Sequence, residues 1–182
     1  MSEISQHYRK LADAFADKIA SVSGDKWSSR SPCPDWTARD VVGHVVATQG
    51  MFLGFIGESL ADGVSVDDDP AAAWSAARAQ VQDALDDPAR AGMEFEGFWG
   101  KATFEDGVER FLCTDLVVHN WDLSRAAGLD TTLDPAELAL VEEKAKSFGD
   151  AMRNPRAFGP ALEAPDGADD QTRILAYLGR EA

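Results

Sequence analysis

Only three histidines occur among the 182 residues, and two of them stand where metal chemistry is possible. His119 lies in the run Cys113-Thr114-Asp115-Leu116-Val117-Val118-His119-Asn120-Trp121-Asp122. On a helix, Asp115 and His119 are four apart and project from one face with Cβ atoms about 6 Å apart; Asp122, three further on, shares that face. A carboxylate and an imidazole at this spacing can chelate one cation, as paired ligands do in helical metalloproteins. Taken alone, so short and common a pattern reads better as an ordinary ion pair or helix-surface contact. The flanking Leu112, Leu116, Val117 and Val118 mark a packed helix, however, and burying two carboxylates and an imidazole there is costly without compensation. His44 sits in a second apolar stretch, where a lone histidine is ordinarily a hydrogen-bonded core residue. A cation shared between His44, Asp115 and His119 would supply the compensation.

The remaining candidates read more simply. Asp122 is either an acceptor that orients a ligand imidazole or a plain helix charge. His7, beside Gln6 and Arg9, reads as a surface residue. Cys113 is two residues from Asp115 and so points to another helix face, and Cys33 lies in a connector; both read as inert packing rather than ligands. They are the only cysteines and have no CxxC spacing, which fits reduced thiols and a cytoplasmic setting. Trp36 and Trp121 read as core anchors.

These side chains need helices to hold them. Ile4, Leu11, Phe15, Ile19 and Val22 give a helical period over 4–22. Prolines 32 and 34 then impose an extended connector. Thr37 caps a second helix with Asp40 as its partner; Trp36 and Val41 flank the cap as a hydrophobic staple. That helix is expected to run to about Leu60, apolar on nearly every face and therefore central in a bundle. A third helix is expected over 68–87, with Trp74, Ala77, Val81 and Leu85 buried and Asp69-Pro70 at its start. Residues 90–102, with Phe95, Phe98 and Trp99, read as a loop with a short strand. A fourth helix is expected from Thr103 to Gly128, with Asp106 as its cap partner, and a fifth from Asp134-Pro135 to about Met152. Pro155, Pro160 and Pro165 fall in loops before a short helix at 170–178. The expected fold is all-α: an up-and-down bundle of four long helices plus short extra helices, in one domain over 1–182.

Hydrophobic residues make up 45% of the chain, enough for a substantial core. The formal net charge of -15 disfavours nucleic-acid and anionic-membrane partners. The start MSEISQHYRKLADAF lacks a signal-peptide pattern, and no run of about 18 apolar residues occurs.

The segment Pro32-Cys33-Pro34-Asp35-Trp36-Thr37 with Asp40-Val41-Val42-Gly43-His44 resembles the entry into the second helix of DinB-like proteins. The branch it is similar to is that of the mycothiol-dependent maleylpyruvate isomerase N-terminal domains and their single-domain relatives. Asp115 through Asp122, continuing Leu123-Ser124-Arg125-Ala126-Ala127-Gly128, looks like that branch's second motif; Phe158-Gly159-Pro160 and Ile174 through Arg180 resemble its C-terminus. The resemblance implies a DinB-like bundle with a metal between helices, held by His44, Asp115 and His119. The isomerase has glutamate where this chain has Asp115, one methylene longer. Direct, monodentate binding by Asp115 is expected, with the ion drawn towards the fourth helix. The isomerase also carries a second, C-terminal domain, which is not expected here.

Two neutral imidazoles and one carboxylate leave a divalent ion net positive with an open position, the arrangement of catalytic zinc. Iron is also compatible with this donor set, and nickel or manganese can occupy it. Such an ion lowers the pKa of bound water or of a low-molecular-weight thiol, which then attacks an electrophilic substrate. The resemblance implies mycothiol, and a thiol-dependent transferase or isomerase. A metal-assisted hydrolase and a non-catalytic metal-binding or interaction protein stay open beside it.

Overall fold

The best-marked element is the second helix, and its entry shows how local chemistry sets the architecture. The computed structural model describes residues 2–97, 100–149, 153 and 158–181. In α2 (Ala38–Phe55), Thr37 Oγ1 accepts from the Asp40 backbone N–H while Asp40 Oδ2 accepts from the Thr37 N–H, a reciprocal cap. The helix stops at Phe55, short of the expected Leu60. Gly57 adopts a left-handed φ of 76°, and the Gly57 and Glu58 amides turn back onto the Gly54 and Leu53 carbonyls. That Schellman closure ends the helix five residues before Leu60. Nor is α2 buried all round: Val41, Val42, Val45, Phe52 and Leu53 face the core, whereas Met51 is exposed.

The other long elements are α1 (Glu3–Ser21), α3 (Pro70–Asp86) and a continuous helical run. That run comprises α5 (Phe104–Gly107), a π-helical turn (Val108–Leu112) and α6 (Cys113–Ala127). The sequence period predicts one uninterrupted helix here. The π turn instead lets Cys113 N–H reach the Val108 carbonyl and carries one extra residue, shifting the phase of everything before it by about 100°. Shorter elements are α4 (Pro88–Ala91), α7 (Pro135–Phe148) and α8 (Asp170–Tyr177), with an antiparallel hairpin of β1 (Glu94–Gly97) and β2 (Gly100–Thr103). In the hairpin Glu94 pairs with Thr103 and Gly97 with Gly100. Two strands thus occupy the segment read as loop with one strand. Phe98, Trp99, Met152 and Pro155 lie outside the described residues.

The molecule is a helical bundle. α1 and α2 each pack against both α3 and α6, which brings the two ligand-bearing helices, α2 and α6, side by side as expected. Tyr8, Phe15, Phe52, Trp74, Leu112, Leu116 and Leu123 fill the centre with almost no exposure. Phe15 meets Trp74 edge-to-face at 5.2 Å, and the buried Tyr8 hydroxyl donates to Gln49 Oε1 at 2.8 Å. Among the described residues no helix is long and apolar enough to cross a membrane.

Candidate metal centre

α2 and α6 bring His44, Asp115 and His119 together. Asp115 Oδ1 lies 3.2 Å from His119 Nε2 and 3.6 Å from His44 Nε2. Donors bound at about 2.1 Å to a tetrahedral ion lie about 3.4 Å apart, so these separations suit one small cation. The shorter aspartate reaches both imidazoles.

The hydrogen bonds behind this trio decide its protonation. His119 Nδ1 is 2.9 Å from Asp122 Oδ2, a fully buried carboxylate. Arg180 donates to Asp122 Oδ2 through Nη2 at 3.0 Å, and the Cys33 thiol donates to the same oxygen at 3.3 Å. Burial pushes the Asp122 carboxyl up, but His119 and Arg180 outweigh it and hold it below the usual range. An ionised carboxylate only accepts, so His119 Nδ1 carries the proton it donates. Nε2 of a neutral His119 then turns a lone pair towards Asp115 Oδ1, and two acceptors at 3.2 Å require a positive charge between them: a proton or a metal ion. With a proton there, Asp115 is held well below the carboxylate range against burial, and His119 well above the imidazole range.

A proton does not satisfy the site completely. Among the described residues, Asp115 Oδ2 is buried with no hydrogen-bond partner. An unmatched anionic oxygen out of water costs on the order of 1–3 kcal/mol or more. A divalent ion beside Asp115 compensates it, so the residues fit a metal by donor type, spacing and unsatisfied charge.

Exposure shows which side is open. The side chains of His44 and Asp115 retain 25% and 18% of their exposure, His119 only 4%. Trp36, expected as a core anchor, is half-buried and packs over His44 with ring centroids 4.8 Å apart. Asp35 just before it has a left-handed φ of 65°, a conformation aspartate tolerates better than most side chains. Trp121 is buried as expected.

Arg180 was not singled out by sequence reasoning. It arrives through a Schellman closure of α8: Gly179 at φ 82° lets the Gly179 and Arg180 amides bond the Ala176 and Leu175 carbonyls. A Cβ at Gly179 would come within 3.0 Å of the Pro160 carbonyl oxygen. Arg180 is 4% exposed and also covers the Phe158 ring at 5.0 Å. The available signal was a lone cation closing the apolar segment Ile174-Leu175-Ala176-Tyr177-Leu178.

Among the described residues, two further groupings have ligand atoms within 4.8 Å: Cys33 with His119 and Asp122, and His7 with Glu109 and Cys113. In both, the carboxylate oxygens already accept from protein donors, so neither calls for a cation. His7 is no surface residue: its two ring nitrogens lie 2.8 Å from Glu109 Oε2 and Glu137 Oε2.

The profile of the mycothiol maleylpyruvate isomerase N-terminal domain matches residues 8–124, well over half of the chain. The chain belongs to this family. The matched segment contains all three converging donors and Asp122, and stops before Arg180. Relatives include "Uncharacterized protein MT0763" and "Uncharacterized protein Rv0738", from Mycobacterium tuberculosis strains CDC 1551 / Oshkosh and ATCC 25618 / H37Rv. Each is 30% identical over 177 residues, covering 95% of this chain and 95% of the relative. No solved structure matches significantly.

Proposed function

We propose that the bundle holds one divalent metal ion, zinc by preference, through His44, Asp115 and His119, and serves a thiol-dependent isomerisation or S-transfer with a low-molecular-weight thiol of the mycothiol type. The observation that carries the metal is the buried, unpartnered Asp115 Oδ2 beside two imidazoles. The thiol rests on the family, whose description joins mycothiol to this domain.

When bound, such an ion supplies a Lewis acid that lowers the pKa of a thiol or water at its open position. The chain's own residues prepare for it. Asp122 fixes the His119 tautomer, leaving Nε2 as the donor atom. Arg180 balances the Asp122 charge, so that carboxylate orients His119 without adding a net anion. Asp115 supplies the one negative charge of the donor set, leaving a divalent site at net +1, suited to one anionic sulfur. His44 and Asp115 form the solvent-reaching side, and Trp36 shields the His44 ring.

The test is spectroscopic. Cobalt-loaded protein titrated with mycothiol should develop a near-ultraviolet sulfur-to-cobalt band, and the His119→Ala variant should not. Retention of the unliganded cobalt spectrum at saturating thiol would exclude the thiol and favour water as the nucleophile source.

A further inference from the structure

The cavity beside the candidate centre carries information about what can enter it. It measures about 560 Å³ and is lined by His44, the one candidate donor that borders it, with Trp36, Asp35, Arg39, Asp40 and Asp67. Three carboxylates against one guanidinium leave two net negative charges in its lining. One nitrogen of that guanidinium is already engaged by the cavity's own wall. Arg39 Nη1 donates to the Val66 and Asp67 carbonyls, both at 2.7 Å, and the cation lies 5.5 Å from the Trp27 ring centroid. Arg39 therefore ties the loop after α2 to the bundle. Asp40 Oδ2 is occupied by the Thr37 cap. Asp35 and Asp67 are exposed, and among the described residues their side chains have no hydrogen-bond or ion-pair partner, so both remain free acceptors.

We propose that the part of a ligand seated in this cavity beside His44 carries hydroxyl or ammonium donors and no anionic group. This rests on the thiol reading above and sharpens it. The site's single positive charge is matched by one anionic sulfur. Everything else a ligand brings into the cavity meets a lining with two net negative charges, whether it is the polar part of the thiol or the electrophile. Hydroxyls and ammonium groups donate to carboxylates; a carboxylate or phosphate is repelled by two net charges. A dicarboxylate such as maleylpyruvate is therefore a poor substrate for this chain, and a polyol or amine a good fit. Because the acidic residues are exposed, the discrimination is modest and screened by salt.

Three thiols of equal length test it: 3-mercaptopropanol, 3-mercaptopropylamine and 3-mercaptopropionate, titrated into cobalt-loaded full-length protein whose cobalt content has been measured first. At low ionic strength the hydroxyl and ammonium probes should bind about fivefold tighter than the carboxylate probe, and high salt should shrink the gap. The Asp35→Asn/Asp67→Asn double variant should reduce the gap to under about twofold relative to the parent. Asparagine tolerates the left-handed φ at 35, and Asp67 holds Arg39 only through its backbone, so both substitutions preserve the frame. Equal or tighter binding of the carboxylate probe, or a gap unchanged by the double variant, overturns the proposal while leaving the thiol reading intact. Binding of none of the three probes by cobalt-loaded protein overturns both.

Discussion

Among the described residues, two histidine–carboxylate clusters built from the same residue types differ in how completely the protein satisfies them: one is a self-contained structural pin, the other leaves a carboxylate oxygen without a donor. His7 lies between Glu109 and Glu137, and every carboxylate oxygen there has a donor: Glu109 takes His7 and Lys144, Glu137 takes His7 and Lys10. Both His7 nitrogens face carboxylates, which favours the imidazolium and lets the charges close on themselves. Among the described residues, no Lys or Arg donates to His44, Asp115 or His119, and Asp115 Oδ2 is left without a partner. The first cluster is complete as protein. The second leaves one carboxylate oxygen that no described protein group satisfies. Counting which oxygens lack donors is more informative than counting ligand-type residues.

The largest break in this contrast comes from the ligands themselves. His44→Ala and His119→Ala should each abolish metal retention through purification, while His7→Ala should leave metal content unchanged; metal analysis of the purified variants decides it. Asp115→Ala should weaken binding by at least about tenfold. Loss of metal on His7→Ala would show that the two clusters were assigned the wrong way round.

Arg180→Met should come next. It leaves Asp122 buried without its guanidinium and should cost about 3 kcal/mol of stability in denaturant melts. It should also lower metal affinity about tenfold, because His119 loses the charge balance behind its orienting acceptor. An Asp122→Asn/Arg180→Met double variant that regained stability but not affinity would separate the two effects.

The smallest effect belongs to the pin. Pairing with Glu109 and Glu137 outweighs burial and raises the His7 pKa, so its contribution is complete below about pH 6.5 and fades as pH rises through the higher folded value. Burial pushes Glu109 up, but His7 and Lys144 bring it down to about 2, so its contribution is present above about pH 4.5 and lost as pH falls towards 2. Between about pH 4.5 and 6.5 both operate. His7→Gln should cost on the order of 1 kcal/mol there and less at pH 9. A cost independent of pH would mean the ring acts by packing alone.

What was legible in the sequence was local. The Thr37 and Asp40 cap, the Asp115 to His119 spacing and the proline-marked start of α3 depend on residues three or four apart. Short-range geometry fixes them. The partners of His7 and Asp122 were not legible, because Glu109, Glu137 and Arg180 are 102, 130 and 58 residues away and only tertiary packing selects them. The π turn left no trace in the apolar pattern, since α5 and α6 each keep their own period and only the phase between them changes. The early end of α2 followed from Gly57, whose left-handed conformation closes the helix before Leu60.

The central claim is that the unsatisfied charge at Asp115 is there for a metal ion. Isothermal titration of zinc into chelator-treated protein, paired with the Asp115→Ala variant, tests it most directly. The account predicts one zinc per chain for the parent, with proton release as His119 Nε2 exchanges its proton for the metal, and binding at least about tenfold weaker in the variant. Helical structure should survive in the metal-free protein, because the core is large enough to stand without the ion. Equal affinity in parent and variant, or no saturable zinc binding in the parent, would contradict it.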